Sequence, residues 1–317
     1  NLWIGTSDGG LNYYDNASQL YKNYLFNSGN LDVPFKDIKT VYVDEVQDRI
    51  YVGAHAGGMM VLHRKSGYIE YYNRHNSNLP SNNIYSIISD GYGGLWVASL
   101  EYLLHFDIDK RNFTIVDVDE DGHKLQQYNR LLFCDSKKRI WAGGEMGISV
   151  FNQVGTSLLP NTDFQIASVL KQAFVNCFYE TSSGYLWIGT RNGLFALKES
   201  DKQFLQYTTE NGLPSNVIYG ILEDAYGRLW ISTNQGLSCL NPESGKFRNF
   251  TIMDGLQGNQ FNAGAYCRKD NGYMLFGGVN GITSFRPETL IDNPYAPKPV
   301  INKLFVHNKE VFTGMMK

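Results

Sequence analysis

The stretch NGLPSNVIYGILEDAYGRLWISTNQGLSCLNPESGKFRNFT, residues 211–251, decides the fold. Val217 to Glu223 is apolar and β-branched, and Asp224 to Gly227 is turn chemistry. Leu229 to Thr233 reads as a second short strand, and Asn234-Gln235-Gly236 as the tight connection out of it. Leu237 to Leu240 is a third strand, Asn241 to Gly245 turns again, and Phe247 to Phe250 is a fourth. Four short strands joined by Gly, Asn, Asp and Pro turns predict an antiparallel meander. No window of the chain carries a convincing helical period.

The middle of that stretch recurs along the chain. RIYVGAHAGGMMVLHR surrounds Tyr51, LWVASLEYLLHFD contains Trp96, and RIWAGGEMGISVFN contains Trp141. LWIGTRNGLFALK contains Trp187, MLFGGVNGITSFR contains Phe276, and the chain opens on NLWIGTSDGGLNYYD around Trp3. From one aromatic anchor to the next the steps are 48, 45, 45, 46, 43 and 46 residues, which makes seven copies on a regular beat. Such a period signals a repeat architecture, and about 45 residues per four-stranded unit is the spacing of a β-propeller blade.

The second strand of each copy shows why the units must be arranged radially. Leu2-Trp3-Ile4 and Leu186-Trp187-Ile188 are apolar at consecutive positions, whereas a sheet with one wet face alternates. A strand apolar on both faces needs a neighbour on both faces, and sheets set around a ring supply that. Gly5, Gly53, Gly143 and Gly189 follow the anchor by two residues, where a side chain would collide with the next sheet. The expectation is an all-β fold, a seven-bladed β-propeller of four-stranded antiparallel blades over residues 1–290. Copy one has no strand upstream of its anchor, so the first blade is expected to be incomplete and the chain to be an excised fragment. Copy four shows no clean fourth strand after Asn152, which leaves the blade's outer edge open over residues 153–175. Pro287, Pro294, Pro297 and Pro299 then read as a linker. Residues 291–317 form that linker and a strand that either closes the last blade or begins a separate domain.

Composition narrows the partners. A net charge of −3 and a pI near 6.1 give no basic footprint for nucleic acid, and no run of apolar residues is long enough to span a membrane. Cys134, Cys177, Cys239 and Cys267 fall in four different repeats without paired spacing, which reads as four small buried hydrophobes rather than disulfides or a metal site.

Residues 211–251 and NSNLPSNNIYSIISDGYGGLWVAS (residues 76–99) resemble the two-component regulator propeller repeat. FNAGAYCRKDNGYMLFGGVNGITSFRPETL (residues 261–290), followed by a Pro-rich link and PVINKLFVHNKEV (residues 299–311), looks like the last blade of such a propeller running into an Ig-like domain. The resemblance implies the periplasmic sensor region of a hybrid two-component histidine kinase that detects polysaccharide fragments, with this chain as its second propeller. It also implies an adjacent propeller, the Ig-like domain and a homodimer as partners, an oligosaccharide as ligand, and a kinase outside this chain.

Ligands of propellers commonly sit on the face carrying the loops between second and third strands. In this sequence those loops hold Asp8, His55, Glu101-Tyr102, Glu145, Arg191-Asn192, Asn234-Gln235 and Asn280, varying while their flanks repeat. A guanidinium at Arg191 grips a carboxylate or sulfate, the amides of Asn192, Asn234, Gln235 and Asn280 match sugar hydroxyls, and Tyr102 offers a stacking face. Two other readings stand beside this one. A structural platform would bind nothing and pack against neighbouring domains or a second copy. A propeller lyase or glycosidase would use His55 with a metal, or Glu101 and Glu145 as a carboxylate pair. One histidine falls short of the roughly three protein ligands that catalytic zinc needs, and nothing sets the two carboxylates at a working separation. No catalytic residue, metal or cofactor is therefore expected.

Overall fold

The computed structural model describes residues 1–24, 35–116, 129–161, 170, 173–199, 203–290, 304–307 and 309–311. It is a seven-bladed β-propeller, and the stretch that decides the fold forms its sixth blade. The four strands there are Ile218–Glu223, Leu229–Thr233, Gly236–Asn241 and Lys246–Phe250, paired antiparallel in chain order. Blade two (Ile38–Asp44, Arg49–Ala54, Gly58–His63, Ile69–Tyr72), blade three (Ile84–Ser89, Leu95–Ser99, Leu103–Asp107, Asn112–Ile115) and blade five (Val175–Glu180, Leu186–Thr190, Gly193–Lys198, Gln203–Tyr207) repeat the plan.

Blade four departs from the sequence expectation. After Asn129–Cys134, Arg139–Gly144 and Gly147–Val154 it has a fourth strand, Ser157–Pro160, paired with Phe151 to Val154. Gly155, at φ 61°, makes the two-residue hairpin that a left-handed turn permits. Only Leu158 of that strand is buried, so its apolar pattern is too thin to read from sequence. Residues 162–169 of this stretch lie outside the described residues.

Among the described residues, the first and last blades each show three strands. Blade one has Leu2–Gly5, Leu11–Tyr14 and Tyr21–Asn23, with no described strand paired inside Leu2–Gly5, and Trp3 is only half buried. Blade seven has Phe261–Arg268, Met274–Gly278 and Gly281–Phe285. Lys269 Nζ donates to Asn16 Oδ1 at 3.3 Å and links these two blades. Leu304–Val306 and Lys309–Val311 pair with each other as a hairpin.

The core lies between blades, not within them. Among the described residues, six apolar clusters each join two successive blades. Trp96 and Trp141 are fully buried, and every residue of Leu95–Ser99, Leu186–Thr190 and Leu229–Thr233 is buried, as strands covered on both faces require. At the anchor-plus-two glycines neighbouring sheets come within van der Waals reach of one another. A Cβ on Gly5 would sit 2.5 Å from Ile38 Cγ2, and one on Gly189 would sit 2.7 Å from Ile218 Cγ2, each in the next blade.

Polar groups lock the turns beneath this core. In blade six the Asp224 carboxylate accepts the turn amides of Tyr226 (2.9 Å) and Arg228 (3.0 Å), the Arg228 Nε (2.7 Å) and the Trp230 Nε1 (3.0 Å). Asp135 repeats this in blade four with Trp141 Nε1 at 2.8 Å, whereas blade five has Thr181 there and leaves the Trp187 Nε1 without an acceptor. Glutamates bridge blades: Glu180 accepts from the Ser136 amide and hydroxyl, both at 2.7 Å, and Glu223 from those of Ser182, both at 2.9 Å.

All four cysteines are free, two buried and two half-buried. Burial pushes the Cys177 thiol up to about 12 and the Cys239 thiol up to about 11, and raises Cys134 and Cys267 as well. A thiol titration near neutral pH is expected to react far more slowly with the folded protein than after denaturation, when all four are counted, because the thiolate is the reactive form. A stoichiometric fast-reacting thiol in the native state would contradict this burial.

Candidate ligand-binding face

The ring face begins with a defect repeated in the inner strands. Register shifts between Ile38 and Thr40, Ile84 and Ser86, Asn129 and Leu131, Val175 and Cys177, and Ile218 and Gly220 leave one extra residue in each ladder. A bulge of this kind re-aims a side chain. The bulged residues are Lys39, Tyr85, Arg130, Asn176 and Tyr219, all at the end of the inner strand that meets the loop between second and third strands. Inner strands line the axis of a propeller, so these positions lie at the channel mouth on the same side as those loops, with Asn176 bonded to the Ile218 carbonyl and Tyr219 packed between blades six and seven.

Contacts tie bulge and loop residues into one array across blades two to five. His55 lies against Tyr85, ring centroids 6.4 Å apart. The Arg130 guanidinium stands 4.9 Å from the Tyr85 ring and 5.8 Å from Phe174, and it forms an ion pair with Glu145. Arg191 stacks on the other side of the array, its guanidinium carbon 3.7 Å from the Phe174 centroid. The Arg130 Nε is buried and has no hydrogen-bond partner, and the Asn234 Oδ1 is in the same condition. Lys39 Nζ pairs with Asp37 at 2.8 Å, and Asp37 also lies 3.9 Å from His55 Nδ1.

Of the residues singled out by sequence, His55, Glu145 and Arg191 join this array. Asn192 and Gln235 use their backbone amides to cap the loop, donating to Thr190 Oγ1 (2.9 Å) and Thr233 Oγ1 (3.0 Å). The Asn280 amide donates to Gln257 Oε1 at 2.8 Å. Tyr102 packs against the apolar cluster between blades two and three, with Glu101 exposed beside it. Asp8 is exposed in blade one, and Asn280 belongs to blade seven, so neither reaches the array. Glu145 is engaged by Arg130 rather than by Glu101. Tyr85, Arg130 and Phe174 were missed by the sequence reading. The signal for Tyr85 and Phe174 is an aromatic residue directly beside the first buried residue of an inner strand, and for Arg130 a charged residue inside such a strand where alternation breaks.

Among the described residues, no group of three His, Cys, Asp or Glu side chains is placed to hold a metal, and no helix is long and apolar enough to cross a membrane. The array therefore offers two guanidiniums, two aromatic faces and neighbouring amides on a rigid support. That donor set suits recognition of oxygen-rich, partly anionic ligands.

Comparison with known proteins agrees with this architecture. The family model described as "Two component regulator propeller" matches residues 78–101, 170–192 and 212–235. The chain is similar to a Formosa agariphila protein named histidine kinase P4, 25% identical over 366 residues, covering 96% of this chain and 26% of that protein. It thus spans about a quarter of the length of that curated relative. A crystallised extracellular domain ascribed to a hybrid two-component system of B. thetaiotaomicron superposes with a TM-score of 0.70 at 18% identity, over 89% of this chain and 37% of that one. A streptogramin B lyase has the same fold, with a TM-score of 0.65 at 12% identity over 89% and 88% of the two chains. The repeat beat, the blade plan and the matched segments agree: this chain is a seven-bladed propeller, and three of its segments match the two-component regulator propeller repeat.

Proposed function

We propose that this propeller is a non-catalytic, ligand-binding part of the periplasmic sensor region of a hybrid two-component protein, and that its ligand is an oligosaccharide bearing a carboxylate or sulfate. The observation that carries this reading is the array of Tyr85, Arg130, Phe174 and Arg191 at the channel mouth. Arg191 grips the anionic substituent, the unpartnered Arg130 Nε offers a further donor, and Tyr85 takes a sugar ring face. The named histidine kinase relative supports a signalling output carried by domains outside this chain. The separate hairpin at residues 304–311 fits the opening of a downstream Ig-like domain, because it pairs with itself rather than with blade seven. An adjoining propeller and a second copy of the protein complete the partners. Binding transmits a signal to the extent that the glycan favours one packing of these parts over another.

Isothermal titration calorimetry against a panel of acidic and neutral oligosaccharides tests this. Saturable binding of one acidic glycan is expected, weakened about tenfold or more by Arg191→Ala, as loss of a charge-assisted bidentate contact implies. A flat titration over the whole panel with folded protein would leave this propeller as a platform for its neighbours.

A further inference from the structure

At the opposite end of the strands, where second strands begin and third strands end, blades two and three part to form a cleft of about 180 Å³. Arg49, Tyr51, Glu70, Tyr72 and Arg111 supply its polar lining, and Phe106 part of its apolar wall. It shares no residue with the channel-mouth array.

Most of the acidic capacity of this cleft is already engaged. The Glu70 carboxylate lies 2.6 Å from His63 Nε2, accepts from the Tyr72 hydroxyl at 2.7 Å and lies 3.6 Å from Arg111 Nη1. Burial by itself would raise the Glu70 carboxyl, but the hydrogen bonds from Tyr72 and His63 and the Arg111 charge outweigh it and hold it low. Its oxygens are therefore occupied as acceptors.

The donors are not used up in the same way. Among the described residues no carboxylate lies within ion-pair distance of the Arg49 guanidinium, which interacts chiefly with the Tyr51 hydroxyl; Glu70, and Asp44 opposite it on the ladder, act through their fields. Tyr51 is fully buried, and its hydroxyl has no well-aligned hydrogen-bond partner. Arg111 is exposed and makes a single long contact to Glu70. A buried hydroxyl whose proton finds no acceptor, beside a guanidinium with no carboxylate partner among the described residues, is costly unless an acceptor arrives.

We propose that this cleft is a second ligand site, separate from the channel mouth, which seats one small carboxylate between the Arg49 and Arg111 guanidiniums with the Tyr51 hydroxyl completing its hydrogen bonds. A planar two-oxygen anion matches the guanidinium fork. Asp109 on the rim and the Glu70 charge limit the surplus of positive potential, which favours a monoanion over a multiply charged phosphate. The volume lies below the roughly 300–1,000 Å³ of pockets for larger ligands, so the site takes one acidic group or a single sugar acid.

The test is amide NMR of the intact chain titrated separately with sodium glucuronate, sodium acetate and glucose. Glucuronate is expected to shift amides around Arg49, Tyr51 and Arg111, and glucose to leave them in place. Acetate matching glucuronate would assign recognition to the carboxylate alone, and acetate weaker by about tenfold or more would add the sugar ring; both outcomes support the site. Arg49→Met, which keeps the apolar stem, and Arg111→Ala on the exposed rim are each expected to weaken binding about tenfold or more. Glucose acting as well as glucuronate, silence at these amides with all three titrants, or unchanged binding in both variants would overturn the proposal. Shifts at Tyr85 and Arg130 report on the channel mouth independently, so failure of one site is distinguishable from failure of the other.

Discussion

Replacing Asp224 by Ala is expected to destabilise the propeller by about 3–5 kcal/mol, the range for removing one partner of a buried charge pair. The carboxylate is almost fully buried and serves four donors: two turn amides, the Arg228 guanidinium and the Trp230 indole. Without it, the Trp230 Nε1 loses its acceptor inside the core between blades six and seven, and the Asp224–Arg228 turn loses its template. Asp224→Asn, which keeps one oxygen for the turn amides, is expected to fall between wild type and Asp224→Ala. Chemical denaturation followed by tryptophan fluorescence measures the change. An Asp224→Ala midpoint that stays within about 0.5 kcal/mol of wild type would mean that the turn is held by something else.

The second large effect is expected at Gly53. Its place in the second strand of blade two is so close to blade three that an added Cβ would lie 2.5 Å from Ile84 Cγ2 and 2.7 Å from Thr40 Cγ2. Gly53→Val must push the two blades apart, and overpacking of this kind costs about 3 kcal/mol or more. Gly245→Ala makes the contrast. That residue has φ 65° with open space around it, so the substitution carries only the left-handed backbone penalty of about 1–2 kcal/mol. Adding Ile84→Ala to Gly53→Val is expected to recover part of the loss, because the two side chains compete for one volume. Thermal unfolding of the three variants ranks them. If Gly53→Val and Gly245→Ala had equal midpoints, the close approach of the blades would carry no energetic weight.

These two positions also show what the sequence makes legible. Asp224 and Gly53 recur with their anchors at Trp230 and Tyr51, so the beat exposes them, and the blade count and order follow from it. The fourth strand of blade four is invisible because a single buried residue, Leu158, cannot declare a period. The candidate face is half legible. His55, Glu145 and Arg191 lie in variable loops between constant flanks, and contrast along the repeat picks them out. Tyr85, Arg130 and Phe174 lie at the starts of inner strands, where sequence reading expects alternation and a bulge removes it. The cleft between blades two and three was not legible at all. Arg49 and Arg111 belong to different copies, and only the packing of one blade on the next brings them to a shared space.

The repeated bulge has a consequence for how such a propeller can change. A residue squeezed out of the ladder has no cross-strand partner to match, so strand pairing is uncoupled from its identity, although Asn176 still bonds the Ile218 carbonyl and Tyr219 still packs between blades six and seven. Positions 39, 85, 130, 176 and 219 hold Lys, Tyr, Arg, Asn and Tyr on otherwise similar strands, as that uncoupling allows. Substitution can therefore change the chemistry of the channel mouth one blade at a time, while the anchors beneath hold the ring together. The architecture behaves like a keyboard whose keys are exchangeable because the frame does not depend on them.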